Sequence, residues 1–453
     1  MAKEKAKTYE MDMSNGPILK KLLLFTIPLI CSSVLQLLFN AADVIVVGRF
    51  AGDNSLAAVG ATGSLVNLFV NFFIGLAVSA NVLVARYYGA KHEKDLSETV
   101  HTAIAISLVS GVCLALLGIW LSPILLEWMQ TPKQILPLAV LYLRIYFVGM
   151  PAMMLYNFGA AILRAIGDTK RPMYYLIIAG VVNVVFNLFF VIVLKWDVFG
   201  VGLATTISQI ISAGLVFRCL IKEEGAIRIR PRELAIRKDK LLKILQLGLP
   251  AGVQGTLFSI SNVLIQSSIN GFGEVTVAGS AAAGNIEGFV YVAMNAFYQA
   301  NISFTSQNAG AGKYKRIHRI LLTAQACVIV TGLILGASCY LAGPTLLRLY
   351  TDSEAVVAAG MIRLQYIGLV YAACGIMDVM VGSLRGLGYA VFPMIVSLIG
   401  TCGLRILWLQ TVFRIEQFHQ IETVYIIYPI TWVISTLAHV ATYLMVMRKF
   451  TKK

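Results

Sequence analysis

The chain has 453 residues, of which 58% are hydrophobic and only 13% charged, and its formal net charge is +15. Water-soluble chains are near half apolar and a quarter charged, so this composition excludes a soluble domain and points to a protein that crosses a bilayer several times. The basic excess does not read as a nucleic-acid surface, because it falls in short loops between apolar stretches and not on one face with interleaved aromatics.

The opening stretch, MAKEKAKTYEMDMSNGPILKK, is polar and lacks an apolar core followed by a small-residue cleavage site, so insertion is expected to rest on the first span itself. A transmembrane helix needs about 20 mostly apolar residues. In chain order, such stretches predict six helices near 20–48, 57–85, 99–121, 137–163, 173–194 and 200–221. Six more follow near 243–269, 276–306, 318–341, 357–384, 391–413 and 424–447. The expected fold class is an all-α membrane protein, with twelve transmembrane helices in two pseudo-symmetric six-helix lobes. The expected division is an N-terminal lobe over 1–222, a charged and mainly basic linker over 223–242, and a C-terminal lobe over 243–453. The seven cysteines lie in or beside apolar segments and form no C-x-x-C pair, which suits small packing residues.

Positive charge tests this parse, since loops on the cytoplasmic side carry the excess of Lys and Arg. With the loops numbered alternately, 29 of the 37 basic residues fall on one side and five on the other; the remaining three, Arg144, Arg363 and Arg405, lie within spans. Both termini are therefore expected to be cytoplasmic, in a multi-pass protein of the cell membrane.

The halves repeat each other. ILRAIGDTKRP (162–172) matches SLRGLGYAVFP (383–393), ARYYGAKHEK (85–94) matches SQNAGAGKYK (306–315), and LAAVGATGS (56–64) matches VTVAGSAAA (275–283). Six spans per copy is an even number, so both copies insert the same way round and the repeat is parallel.

Polar residues inside the spans are the candidate site. Gln36, Asn40 and Asp43 are spaced i, i+4, i+7 and share a face of span one. Asn183 and Asn187 are four apart on span five, and Thr205 lies on span six. An ionised Asp within a span costs roughly 2.5–3.5 kcal/mol even on lenient insertion scales, which makes Asp43 a functional candidate. One carboxylate among amide and hydroxyl oxygens suits Na+ or a proton relay. In the second half, Asn262 and Gln266 lie on span seven, Glu287 and Tyr291 on span eight and Asp378 on span ten. Arg405 on span eleven is a candidate counter-ion for one of these acids. On span four, Met150, Met153, Met154 and Asn157 share a face whose soft side chains suit loosely selective apolar binding. Helix–helix hydrogen bonding for the amides and hydroxyls, and core packing for the methionines, are the alternative readings.

The sequence has no G-x-x-x-x-G-K-[ST], H-E-x-x-H or G-x-S-x-G, which disfavours an ATPase, a zinc protease or a serine hydrolase, and so an enzyme in general. No cofactor is expected beyond the ion.

In this order, the strings GDTKRP, QNAGAGK and SLRGLG, with Asp43 heading D-x-x-x-x-G-R, resemble the multidrug and toxic compound extrusion (MATE) transporters across almost the whole chain. The resemblance implies two lobes around a central cavity and export of cationic, often aromatic compounds in exchange for Na+ or H+. It implies coupling-ion roles for Asp43, Asn183 and Thr205, with Gln36, Asn40 and Asn187 beside them. It departs at Asn187, where the family's second acid is here an amide, and near Ser259, where a second-lobe acid is missing. The substrate cavity is expected to draw on Met150, Met153, Met154, Asn157, Asn262, Gln266, Glu287, Tyr291 and Asp378. The expected partners are a cationic amphiphile and the bilayer, with no nucleic acid, and the expected state is a monomer. A lipid or lipid-linked oligosaccharide flippase of the same superfamily is the alternative.

Overall fold

The computed structural model describes residues 9–451. Twelve helical rods follow one another with short connections. The first six are α1 (Ile18–Val46, continued by a π turn over Val47–Ala51), α2 (Asp53–Ala90), α3 (Glu93–Trp128), α4 (Leu136–Val148 and Met150–Ala165), α5 (Lys170–Leu188, continued by a π turn over Phe189–Val193) and α6 (Asp197–Lys222). The second six are α7 (Lys238–Asn270), α8 (Glu274–Gly310), α9 (Tyr314–Leu341), α10 (Glu354–Arg363 and Ala372–Gly386), α11 (Val391–Ser397 and Leu404–Gln410 around a π turn) and α12 (Ile421–Thr451).

Each rod overlaps one expected span. Among the described residues, nine are long and apolar enough to cross a bilayer as single helices, and α4 and α10 cross as bent pairs. The rod outside that set is α8. It is long enough but polar on its inward face, where Asn301, Ser303, Thr305, Ser306, Gln307 and Asn308 are all buried. The fold is all-α and membrane-spanning.

The breaks have local causes. α4 bends by 45° at Gly149, just before Pro151, whose missing N–H removes a helix hydrogen bond. α10 bends by 41° after a π turn over Leu364–Gly368, another recognised source of kinks. Bulky residues cannot pass either corner closely: a Cβ on Gly111 would lie 2.6 Å from Pro151 Cα, and one on Gly332 would lie 2.8 Å from Ala372 Cα. Gly111 and Gly332 are 221 residues apart, as are Pro151 and Ala372. The duplication therefore extends to individual backbone contacts. It recurs where Asn81 donates to the Ala161 carbonyl at 2.9 Å and Asn301 to the Val379 carbonyl at 2.7 Å.

The chain divides into two compact units. Unit 1 holds residues 9–12 and Cys31–Gly248, and unit 2 holds Met13–Ile30 and the chain from Leu249. This division differs from the sequence boundaries at two helices. The start of α1 belongs to unit 2, where Phe25 packs edge-on against Phe304 at 5.6 Å. The start of α7 belongs to unit 1, where a Cβ on Gly248 would lie 2.8 Å from a Leu76 methyl carbon.

The linker after α6 is a fixed part of unit 1. Ile227 and Ile229 are buried in the same cluster as Leu96, Val100 and Ala103. The Arg230 backbone N–H donates to His101 Nε2 at 3.1 Å, and the Arg237 backbone N–H donates to Thr102 Oγ1 at 3.2 Å. Lys240, only 2% exposed, is paired with Asp95 and, at 3.2 Å, with Asp239. Alternation of buried Ile with exposed Arg in IRIR lets the segment lie flat against α3 while keeping its charges in water.

Candidate functional site

Unit 1 brings Asp43 to the amides of α5. The approach is set by Gly180, one and two turns before Asn183 and Asn187: a Cβ there would lie 1.8 Å from the Phe39 ring, so the ring of α1 rests directly on the α5 backbone. Phe39 precedes Asp43 by one helical turn, which places the carboxylate beside Asn187. Gly180→Ala is expected to push Phe39 away and lower stability by about 1–3 kcal/mol. A thermal melt matching the wild type would show that the ring swings aside freely.

The hydrogen bonds form one chain. Asn187 Nδ2 donates to Asp43 Oδ1 and, at 3.4 Å, to Asn183 Oδ1. Asn183 Nδ2 donates to Thr205 Oγ1 at 3.4 Å, and the Thr205 hydroxyl donates to the Val201 carbonyl at 3.0 Å. Asn183 and Asn187 are buried and Asp43 is half-buried. Asn187 Oδ1 is buried with no hydrogen-bond partner among the described residues. No ion pair to Asp43 occurs among them either. An orphaned amide oxygen next to an uncompensated carboxylate is a place for a positive charge. The chain carries one formal negative charge, which matches a monovalent ion. Tyr142 of α4 also lies within electrostatic reach of Asp43, a neighbour that helix periodicity does not reveal.

Gln36 and Asn40 are exposed and do not join this chain. They share the face of Asp43, but the α5 amides meet that face only at the level of Asp43. Met150 and Met154 are buried in apolar clusters, so they serve packing and do not present their thioethers to a cavity. Met153 and Asn157 are half-buried, with Asn157 Nδ2 donating to the Met153 carbonyl at 2.9 Å.

In unit 2, Glu287 is also no free acid. Arg363 Nη2 lies 2.9 Å from its Oε2, Arg363 Nε lies 3.2 Å from both carboxylate oxygens, and Arg363 Nη1 donates to Ser280 Oγ at 2.8 Å. The counter-ion is thus Arg363 and not Arg405. Asp378 is half-buried, and no described residue hydrogen-bonds it or pairs with it; Tyr291, 41% exposed, lies within its electrostatic reach. Asn262 and Gln266 are exposed on α7, and Gln266 Nε2 donates to Asn270 Oδ1 at 3.0 Å.

Comparison with known proteins places this architecture. The family model MatE matches residues 28–189 and 250–409, one stretch in each half. The probable multidrug resistance protein YoeA of Bacillus subtilis is 27% identical over 449 residues, covering 96% of both chains. The probable multidrug resistance protein NorM of Thermotoga maritima is 23% identical, covering 84% of this chain and 83% of its own. A solved outward-facing MATE transporter of the MOP superfamily shares the fold with a TM-score of 0.92 at 22% identity, covering 99% of this chain and 100% of that one. With both halves matched, the chain belongs to the MatE family, the multidrug and toxic compound extrusion transporters, and is a multi-pass membrane transporter and not an enzyme.

Proposed function

We propose that this chain is a secondary exporter of cationic amphiphiles, driven by Na+ or H+ entering through the Asp43 site. The observation that carries the reading is the Asp43–Asn187–Asn183–Thr205 chain, with its orphaned Asn187 Oδ1. Na+ fits oxygen ligands of this kind. A proton on Asp43 would neutralise the same single charge. Either ion acts by its different affinity for two arrangements of α1 against α5 and α6. Asp378, the unpaired acid of unit 2, is the group offered to a cationic substrate, and Tyr291 adds an aromatic face. The resemblance to proteins called multidrug resistance proteins supports this substrate class. The basic loops support a cell-membrane orientation with both termini cytoplasmic. No cofactor beyond the ion and no second chain enters the scheme.

The test is purified protein in liposomes loaded with a fluorescent organic cation. Under an imposed Na+ gradient, then an imposed pH gradient, one of the two is expected to drive the dye uphill. Dye that only equilibrates under both gradients would overturn the reading.

A further inference from the structure

Unit 2 holds three buried or half-buried arginines in its helices, and they are partnered differently. Arg363 has Glu287. Arg385 donates to the Tyr298 hydroxyl and, at 2.7 Å, to Gln254 Oε1. Arg405 is 3% exposed, its Nε donates to Thr431 Oγ1 at 3.2 Å, and its guanidinium lies 4.2 Å from the centroid of the Tyr428 ring. No carboxylate pairs with it among the described residues, and its two terminal nitrogens make no hydrogen bond to them. A guanidinium without an anion is among the costliest groups to leave inside a membrane-spanning bundle.

The repeat gives this orphan a meaning. α5 and α11 are corresponding helices, with Pro172 and Pro393 at the same place 221 residues apart. The π turn over Leu398–Gly403 adds one residue ahead of Arg405. Arg405 therefore takes the position that Asn183 holds on α5. α12 supplies Thr431 as α6 supplies Thr205, and the counterpart of Asp43 on α7 is the neutral Asn262. One place in the repeat thus has a single negative charge in unit 1 and a single positive charge in unit 2.

We propose that Arg405, Thr431 and the Tyr428 ring form a binding site for one monovalent anionic group, a carboxylate or a halide-sized ion. Two sources carry that chemistry: a free small anion, or the carboxylate of a zwitterionic substrate. The guanidinium supplies paired N–H donors that a carboxylate accepts in parallel. The aromatic ring holds the cation in place while its terminal nitrogens stay free. The second source rests on the exporter reading; the first does not.

Two binding measurements on the purified full chain in detergent separate the sources. Rhodamine B is a zwitterion with a carboxylate, and rhodamine 6G is an esterified cation of the same ring system. If the substrate carries the anion, Arg405→Gln is expected to weaken rhodamine B roughly 10-fold while leaving rhodamine 6G within about twofold. If a free anion fills the site, replacing a bulky sulfonate by chloride or acetate at equal sodium is expected to raise the melting midpoint of the wild type and not that of Arg405→Gln. Arg405→Lys keeps the charge without the fork and is expected to fall between the two. Should Arg405→Gln fail to fold, the wild type decides: acetate must either displace rhodamine B selectively or raise the midpoint. Should neither dye bind, the melting measurement decides alone. Wild-type protein that shows no anion effect of either kind, or an Arg405→Gln protein that shows the same effect, overturns the proposal. Failure of the exporter reading would appear in the liposome assay and would leave the melting result unaffected.

Discussion

Asp43→Asn is expected to abolish gradient-driven export while leaving a folded protein. The substituted amide has nearly the shape of the carboxylate, and its oxygen still accepts from Asn187 Nδ2, so the contact that joins α1 to α5 survives. What disappears is the one formal charge of the site. A unit charge about 4 Å away is worth about 4 kcal/mol at an effective dielectric constant of 20, so ion affinity should fall roughly a thousandfold. Removing a carboxylate from a bundle interior also removes its desolvation cost, so the melting temperature should not drop. Initial rates in liposomes, set beside the melting curve, check both halves of the expectation. A variant that still moves dye uphill at the wild-type rate would remove Asp43 from the coupling scheme. One that merely fails to fold would show that the group is structural.

The second large effect concerns the Glu287–Arg363 pair. Removing one member of a buried ion pair typically costs about 3–5 kcal/mol, because the other charge is left without compensation, whereas replacing both is often nearly neutral. Arg363→Met should therefore destabilise unit 2 severely, and adding Glu287→Gln should restore most of the loss. The hydrogen bond from Arg363 Nη1 to Ser280 Oγ is lost in both variants and cancels from the comparison. Thermal unfolding of the two single variants and the double variant measures the coupling. Additive losses would mean that the two charges do not depend on each other.

Much of this architecture is legible in the sequence, because the bilayer demands apolar segments of one length and leaves few alternatives. The twelve rods, the family and the duplication all follow from that constraint and from the repeated strings. Facing is less legible. Gln36, Asn40 and Asp43 share a helix face, yet only Asp43 meets the amides of α5, because the spacing along one helix says nothing about where its neighbour offers a partner. Met150 and Met154 fall on the packed side of α4 for the same reason. Glu287 finds Arg363, 76 residues away, through the crossing of α8 and α10, which no periodicity encodes. The linker looks like a loose tether in composition, but two isoleucines spaced two apart anchor it to α3. Arg405 draws its meaning from a π turn that shifts the register by one residue, a feature invisible in the letters.

The polar interior of α8 bears on how the protein is made. A nascent segment partitions from the translocon into lipid largely on its own apolarity. Asn301 is buried on α8, and its Nδ2 donates to the Val379 carbonyl and to Ser383 Oγ, both at 2.7 Å. Those acceptors belong to α10, which emerges from the ribosome later. Stable lodging of α8 must therefore wait for a helix synthesised after it, so the second half settles into the bilayer as a group and not one hairpin at a time.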